Sequence, residues 1–338
     1  MSLSTRTEIM KILFLGGTGN ISAECASLLH SCGHEIIIFS RGQSTVPSRY
    51  TGIRGDRKDS KATRAALQGI RPEIVINFLG YELGDVQDDF ALFSGKLRQY
   101  IFISSATVYA KPPARLPITE EAALGNAWWE YAQKKLACEQ WLLEQHHSLG
   151  FPLTIVRPSH TYSKRWVPNP VSSASYTFAD RIQKNKPLFI PDHGETPWTL
   201  TAASDFGLGL EGLVGNDRAV GEAFHITSDE ALTWNQIYAE IARALGKSLP
   251  PVFQIPTDFI CQMAPQLIGN LKGDKAHPAI FNNSKVKRFN PSFQCRKSFS
   301  AGIRESIQWL QQHPEERKLN PEVDATFEQV IAAWKNRS

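Results

Sequence analysis

Lys11-Ile12-Leu13-Phe14-Leu15-Gly16-Gly17-Thr18-Gly19-Asn20-Ile21-Ser22 runs from a short apolar strand, through a glycine-rich turn, into the start of a helix. The apolar stretch does not alternate, as expected for a strand covered by helices on both faces. Gly16, Gly17 and Gly19 let the backbone turn tightly. They also bring amide N–H groups at the positive end of a helix within reach of an anion such as a pyrophosphate. A glycine pattern alone is also met in ordinary strand-to-helix turns, so its weight here comes from the strand before it and the helix after it. Gly16, Gly19, Asn20 and Ile21 are the expected phosphate contacts. Ser22 stands where a third glycine is more usual, and is still small enough to let helix and strand pack closely.

The same alternation of strand and helix continues outward from this loop. Further strands are expected at Glu35 to Phe39, Gly52 to Arg54, Ile74 to Phe78, Tyr100 to Ser104 and Leu153 to Val156. Helices are expected at about Asn20 to Cys32, Lys61 to Leu67 and Trp128 to Gln145. Repeated βαβ units of this kind close a parallel sheet, so the fold class is α/β, a doubly wound parallel sheet. Beyond Arg157 the regularity fails: Pro168, Pro170, Pro187, Pro191, Pro197 and the serine-rich Val171 to Tyr176 mark looped chain. Later helices are expected at Trp234 to Leu245, stopped by Gly246, and at Phe299 to Gln312. The expected division is a dinucleotide-binding domain over 10–165, with segments near 199–230 returning to it. A smaller, irregular α/β C-terminal substrate domain, mainly a cap, is expected over 166–335.

Composition excludes some classes. Of 338 residues 42% are hydrophobic, a normal globular core. Lys and Arg number 37 against 33 acidic residues, and the net charge of +4 falls short of the concentrated basic face of a nucleic-acid binder. The five cysteines form no C-x-x-C pair and have no histidines at zinc spacing, so no metal site is expected. They read as buried reduced thiols, and with no secretory signal the expected location is cytoplasmic. No stretch approaches the ~20 apolar residues of a membrane span. Met10 directly precedes the first strand, so the leading residues are read as an extension outside the fold.

Two further segments carry chemistry. The second strand ends in Ser40-Arg41-Gly42, where a carboxylate would receive the ribose hydroxyls of NAD. Without that carboxylate, and with a guanidinium beside the site, NAD(P) binding is expected to favour NADP over NAD. The fifth strand ends in Ser104-Ser105-Ala106-Thr107-Val108-Tyr109, and Tyr131 and Lys135 follow on one face of a helix. A tyrosine hydroxyl titrates near pH ~10 and needs a neighbouring cation to work as an acid or base near neutrality. Lys135 is spaced to supply it, and Ser105 at a strand end would meet a substrate oxygen in the crevice.

With these features in order, the chain resembles the extended and atypical short-chain dehydrogenase/reductases, the NAD-dependent epimerase/dehydratase group. The resemblance runs nearly end to end, through Gly16 to Ser22, Gly55-Asp56, the Ser-Ser-Ala-Thr-Val-Tyr run, Tyr131 with Lys135, Arg157-Pro158, Asp205-Phe206 and Asn283 to Arg288. It implies a Rossmann fold, with Asp56 near the adenine and Pro158 to His160 beside the nicotinamide. It also implies Tyr131 as acid/base, Lys135 on the ribose lowering the tyrosine pKa, and Ser105 polarising the substrate. Asp56 has an alternative reading as a turn and cap residue, and His160 as a hydrogen-bonded wall residue rather than a second proton-transfer group.

Two departures stand out. Trp198, in Gly194-Glu195-Thr196-Pro197-Trp198-Thr199, occupies the place of the arginine that clamps the phosphates of nucleotide-linked sugars. The stretch Gly80 to Gln99 is short for a crossover, and a smaller helix there would alter a homodimer face. The expected partner is a small molecule, a sugar derivative among the candidates, without membrane or nucleic acid. The expected function is hydride transfer between nicotinamide and a carbinol or carbonyl carbon, as a net redox step or within an epimerase/dehydratase. The alternative is a non-catalytic member that binds RNA, as some atypical members resembling chloroplast mRNA-binding proteins do, or senses a dinucleotide.

Overall fold

The computed structural model describes residues 8–337, so most of the leading extension lies outside the described residues. Seven parallel strands form the central sheet. The N-terminal half runs β1 (Lys11–Leu15), α1 (Ser22–Ser31), β2 (Glu35–Ser40), β3 (Thr51–Arg54), α2 (Ser60–Leu67), β4 (Ile74–Asn77), α3 (Leu83–Phe93), β5 (Gln99–Ile103), α4 (Glu130–Leu149) and β6 (Leu153–Pro158). Next come β7 (His160–Tyr162), α5 (Thr177–Gln183), β8 (Leu188–Pro191), β9 (Pro197–Trp198), β10 (Leu200–Ala202), α6 (Ala203–Glu211) and β11 (Ala223–Ile226). The chain finishes with β12 (Leu232–Thr233), α7 (Trp234–Ala244), β13 (Val252–Ile255), α8 (Thr257–Met263), α9 (Ile268–Asn270), a π-helical turn (Leu271–Lys275), α10 (Ser284–Phe289), α11 (Phe299–Gln312) and α12 (Pro321–Lys335).

The sheet order is β11-β6-β5-β4-β1-β2-β3, so the chain reverses its direction of travel between β1 and β4 and leaves a crevice there. The period of two in a strand splits the apolar runs between two cores. Ile12, Phe14, Ile36 and Ile38 pack on one face with Cys25, Leu29, Phe206 and Leu210 of α1 and α6. Leu13, Leu15, Ile37 and Phe39 pack on the other with Val86, Cys138 and Leu142 of α3 and α4. A third core in the C-terminal half joins Tyr162, Phe178, Phe189, Trp234, Ile303 and Phe327 around α5, α7, α11 and α12. Three short two-stranded pairs, β7 with β10, β8 with β13 and β9 with β12, tie that half together.

Two expectations need correction. The crossover between β4 and β5 holds an eleven-residue helix, α3, capped by Glu82 and Asp85. Its buried face includes Asp89, which looks like a polar break but is bonded by Arg57 (2.5 Å), Asn77 (2.6 Å) and Tyr100 (2.6 Å). Nor are all five cysteines buried: Cys25, Cys138 and Cys261 are, while Cys295 is half-buried and Cys32 exposed. No helix among the described residues is long and apolar enough to cross a membrane.

Candidate active site

A cleft of about 960 Å³ runs along the C-terminal ends of the parallel strands. Its lining begins at Gly16, Thr18, Gly19, Asn20 and Ile21, passes Ser40, Arg41 and Asp56, and reaches Ser105, Tyr131, Lys135, Pro158 and His160. Every residue expected from sequence to touch cofactor or substrate therefore faces one cavity.

The glycine loop is shaped by contact. Gly16 has φ +90°, and a Cβ there would lie 2.7 Å from Leu79 Cγ; a Cβ at Gly17 would lie 2.8 Å from Ile38 Cγ1. The Gly19 amide donates to Ser22 Oγ at 2.9 Å, so the serine in the third glycine position braces the turn from inside. The Asn20 side chain is already engaged: its Nδ2 donates to the Thr161 carbonyl (2.8 Å), while its Oδ1 accepts from Ser163 N (3.0 Å) and Ser163 Oγ (2.7 Å). Asn20 therefore offers its backbone to a ligand, and its carboxamide fastens the loop to the chain leaving β7. Ser40 is buried at the end of β2, and Arg41 lies exposed at the rim. Asp56 Oδ1 accepts from the Lys58 amide (3.1 Å) as a turn residue, and Asp59 caps α2.

The catalytic candidates converge from two elements. Ser105 ends the chain from β5 and caps a single 3₁₀ turn, its Oγ accepting from Thr107 N (3.2 Å) and Thr107 Oγ1 (2.9 Å). Those bonds leave its own proton free to donate. Tyr131 lies in the first turn of α4, its ring 5.3 Å from Trp129 and 6.4 Å from Tyr81. Burial pushes its pKa up and Tyr81 adds to the rise, while Ser105 opposes it. Lys135 is buried, its Nζ donating to the carbonyls of Gly80 (2.8 Å) and Ile103 (2.9 Å), which leaves one N–H unspent. Burial lowers its pKa to about 8.

His160 reaches Ser173 Oγ through Nε2 at 2.9 Å, and its Nδ1 is buried without a partner among the described residues. Burial, reinforced by Lys275, holds its pKa well below the ordinary histidine value, so the ring is neutral. Trp198 lines the cleft at 2% exposure. Behind the site, Arg157 lies between β6 and α4, its Nη2 2.6 Å from Glu139 Oε2 and its Nη1 3.2 Å from Tyr109 Oη. Sequence reasoning missed Thr107, which orients Ser105, although it lies inside the quoted Ser-Ser-Ala-Thr run. It also missed Trp129, Ser173, Asp274 and Lys275 on the cleft wall, which no local pattern marks.

Fold and site together define an enzyme of the short-chain dehydrogenase type. The family model described as the NAD dependent epimerase/dehydratase family matches residues 12–93 and 90–214. The chain belongs to that family and is, in the broad sense, an NAD-dependent oxidoreductase or epimerase. It is 25% identical to 2'-dehydrokanamycin reductase of Streptomyces kanamyceticus over 308 residues, 90% of this chain and 85% of that one. It is 28% identical to the chloroplast stem-loop binding protein of 41 kDa b of Arabidopsis thaliana over 265 residues, 74% of this chain and 67% of that one. An epimerase structure from Methanothermobacter thermautotrophicus superposes with a TM-score of 0.75 at 16% identity, covering 92% of this chain and 95% of the other.

Proposed function

We propose that the cleft carries out hydride transfer between a dinucleotide and a carbinol or carbonyl carbon, with Tyr131 as the proton-transfer group. The observation that carries this reading is the convergence of Ser105, Tyr131 and Lys135 on the cavity that the glycine loop opens. The residues fit a dinucleotide: a left-handed Gly16, a Gly17 with no room for a Cβ, and a helix start whose residues line the cleft. The bound dinucleotide supplies or accepts a hydride at nicotinamide C4. Gly16, Gly19 and the Asn20 and Ile21 backbones would hold its phosphates, Asp56 would serve its adenine end, and Pro158 and His160 would wall the nicotinamide.

Ser105 donates to the substrate oxygen, and Tyr131 exchanges a proton with that same oxygen. The unspent N–H of Lys135 serves a ribose hydroxyl. Because burial holds the Tyr131 proton in place, the phenol acts first as an acid, which suits reduction of a carbonyl. Arg41 supports a preference for a 2′-phosphate, hence NADP, and Trp198 in place of a phosphate-clamping arginine supports an unphosphorylated substrate.

The test is Tyr131→Phe, assayed by cofactor absorbance against a panel of carbonyl and carbinol compounds, beside RNA binding at physiological salt. Turnover should fall by ~10²-fold or more with dinucleotide affinity kept. RNA binding tight enough to ignore the mutation, with no turnover on any compound, would favour the non-catalytic alternative, to which the similarity to the stem-loop binding protein also points.

A further inference from the structure

At the end of the cleft beside Trp129 and Trp198 lies a buried ionic group that the roles above leave unused. Asp274 Oδ1 is 3.4 Å from Lys111 Nζ and Asp274 Oδ2 is 3.1 Å from Lys275 Nζ. The three side chains are 1%, 9% and 10% exposed in the order Lys111, Asp274, Lys275. Two ammonium groups share one carboxylate, so the group is one negative charge short in a place where an unbalanced charge is costly. Asp274 and Lys275 both line the cleft.

The position of Lys275 is fixed. It ends the π-helical turn, an irregularity that collects at functional positions. Trp234 Nε1 donates to its carbonyl at 2.9 Å, and Asn126 Nδ2 holds the neighbouring Gly273 carbonyl at 2.6 Å. Its Nζ lies 5.3 Å from the Trp198 ring and 5.9 Å from the Trp129 ring, and Trp129 in turn packs on Tyr131. The ammonium group and the proposed proton donor therefore flank the same indole. Nearby, the buried Trp198 Nε1–H has no acceptor among the described residues. An ammonium group with N–H bonds to spare and an unsatisfied indole N–H present donors and surplus positive charge, and the aromatic faces offer platforms for an apolar ring face.

We propose that this end of the cleft recognises a carboxylate borne by a sugar-sized polyhydroxyl substrate, with Lys275 as its charged contact. A carboxylate would bring the group to two positive and two negative charges and accept the spare ammonium proton. The proposal rests on the cleft being the carbonyl or carbinol site described above.

The experiment is calorimetry on the full chain saturated with NAD⁺, using D-glucuronate, D-glucose and D-glucosamine as probes. D-glucuronate should bind about tenfold or more tightly than either of the others, a charge-assisted hydrogen bond's worth. That preference should collapse to within about twofold in Lys275→Met and persist in Lys275→Arg. Equal affinity of wild type for the acid and neutral sugars, an unchanged preference in Lys275→Met, stronger binding of the amino sugar, or no binding of any of the three would overturn the proposal. If Lys275→Met fails to fold, the wild-type ratio decides alone. NADH binding and the turnover of Tyr131→Phe report separately on the underlying reading, so either idea can fail without the other.

Discussion

Replacing Lys135 with methionine keeps most of the length of the side chain and removes its charge. In the unfolded chain this lysine holds its proton up to about pH 10.5, but in the folded protein only up to about 8, because burial penalises the charged form. Between those values the unfolded state binds more protons, so stability due to this group rises as pH rises. A pKa moved from 10.5 to about 8 corresponds to about 3 kcal/mol, absent at neutral pH and gained progressively through that window. The variant lacks the titration. It also strands the Gly80 and Ile103 carbonyls, a penalty that does not change with pH. Urea unfolding of both proteins without cofactor, from about pH 7 to about pH 10.5, isolates the effect as the difference between two curves. Wild type should gain about 3 kcal/mol on the variant across the window and nothing below it. A difference that stays level from about pH 8 to about pH 10.5 would refute the account of Lys135 as a desolvated ammonium.

Arg157→Leu should cost about 3–5 kcal/mol in chemical unfolding, because it leaves the fully buried Glu139 without its partner; a loss under about 1 kcal/mol would mean that water reaches the pair. Gly16→Ala should cost about 1–3 kcal/mol and weaken dinucleotide binding, since it combines a left-handed backbone with a collision on Leu79. Gly95→Ala, at φ +71° with open space around it, isolates the backbone part, and equal losses at the two sites would discount the collision. Arg41→Ala should weaken NADP(H) and spare NAD(H) in fluorescence titrations, and equal weakening of both would remove the 2′-phosphate role.

Much of the sheet was readable because β1, β2, β4, β5 and β6 are largely apolar runs, a signal that survives without any tertiary information. Their observed ends differ from the sequence reading by a residue or two, where pairing with a neighbour decides the limit. The extent of helix α3 was hidden because its inward position 89 is an aspartate, made tolerable only by Arg57, Asn77 and Tyr100 from three other segments. The pair β7 and β10 escaped notice because strands of three residues carry no period. In the site, Ser105, Tyr131 and Lys135 could be picked out because strand ends and helix faces translate spacing into proximity. Asp274 and Lys275 could not, since their place beside Trp129 and Trp198 depends on chain segments far apart in sequence. Even the well-marked Asn20 turned out to spend its carboxamide on the protein, which a motif cannot reveal.

That carboxamide makes the two ends of the cleft mechanically answerable to each other. Three hydrogen bonds join Asn20 to Thr161 and Ser163, immediately beyond His160. The wall carrying His160 cannot slide outward to admit a larger guest without dragging the glycine loop or giving up all three bonds. Widening the pocket for new substrates by engineering therefore has a direction: room is to be found on the Lys275 side, where Trp234 and Asn126, and not Asn20, hold the backbone.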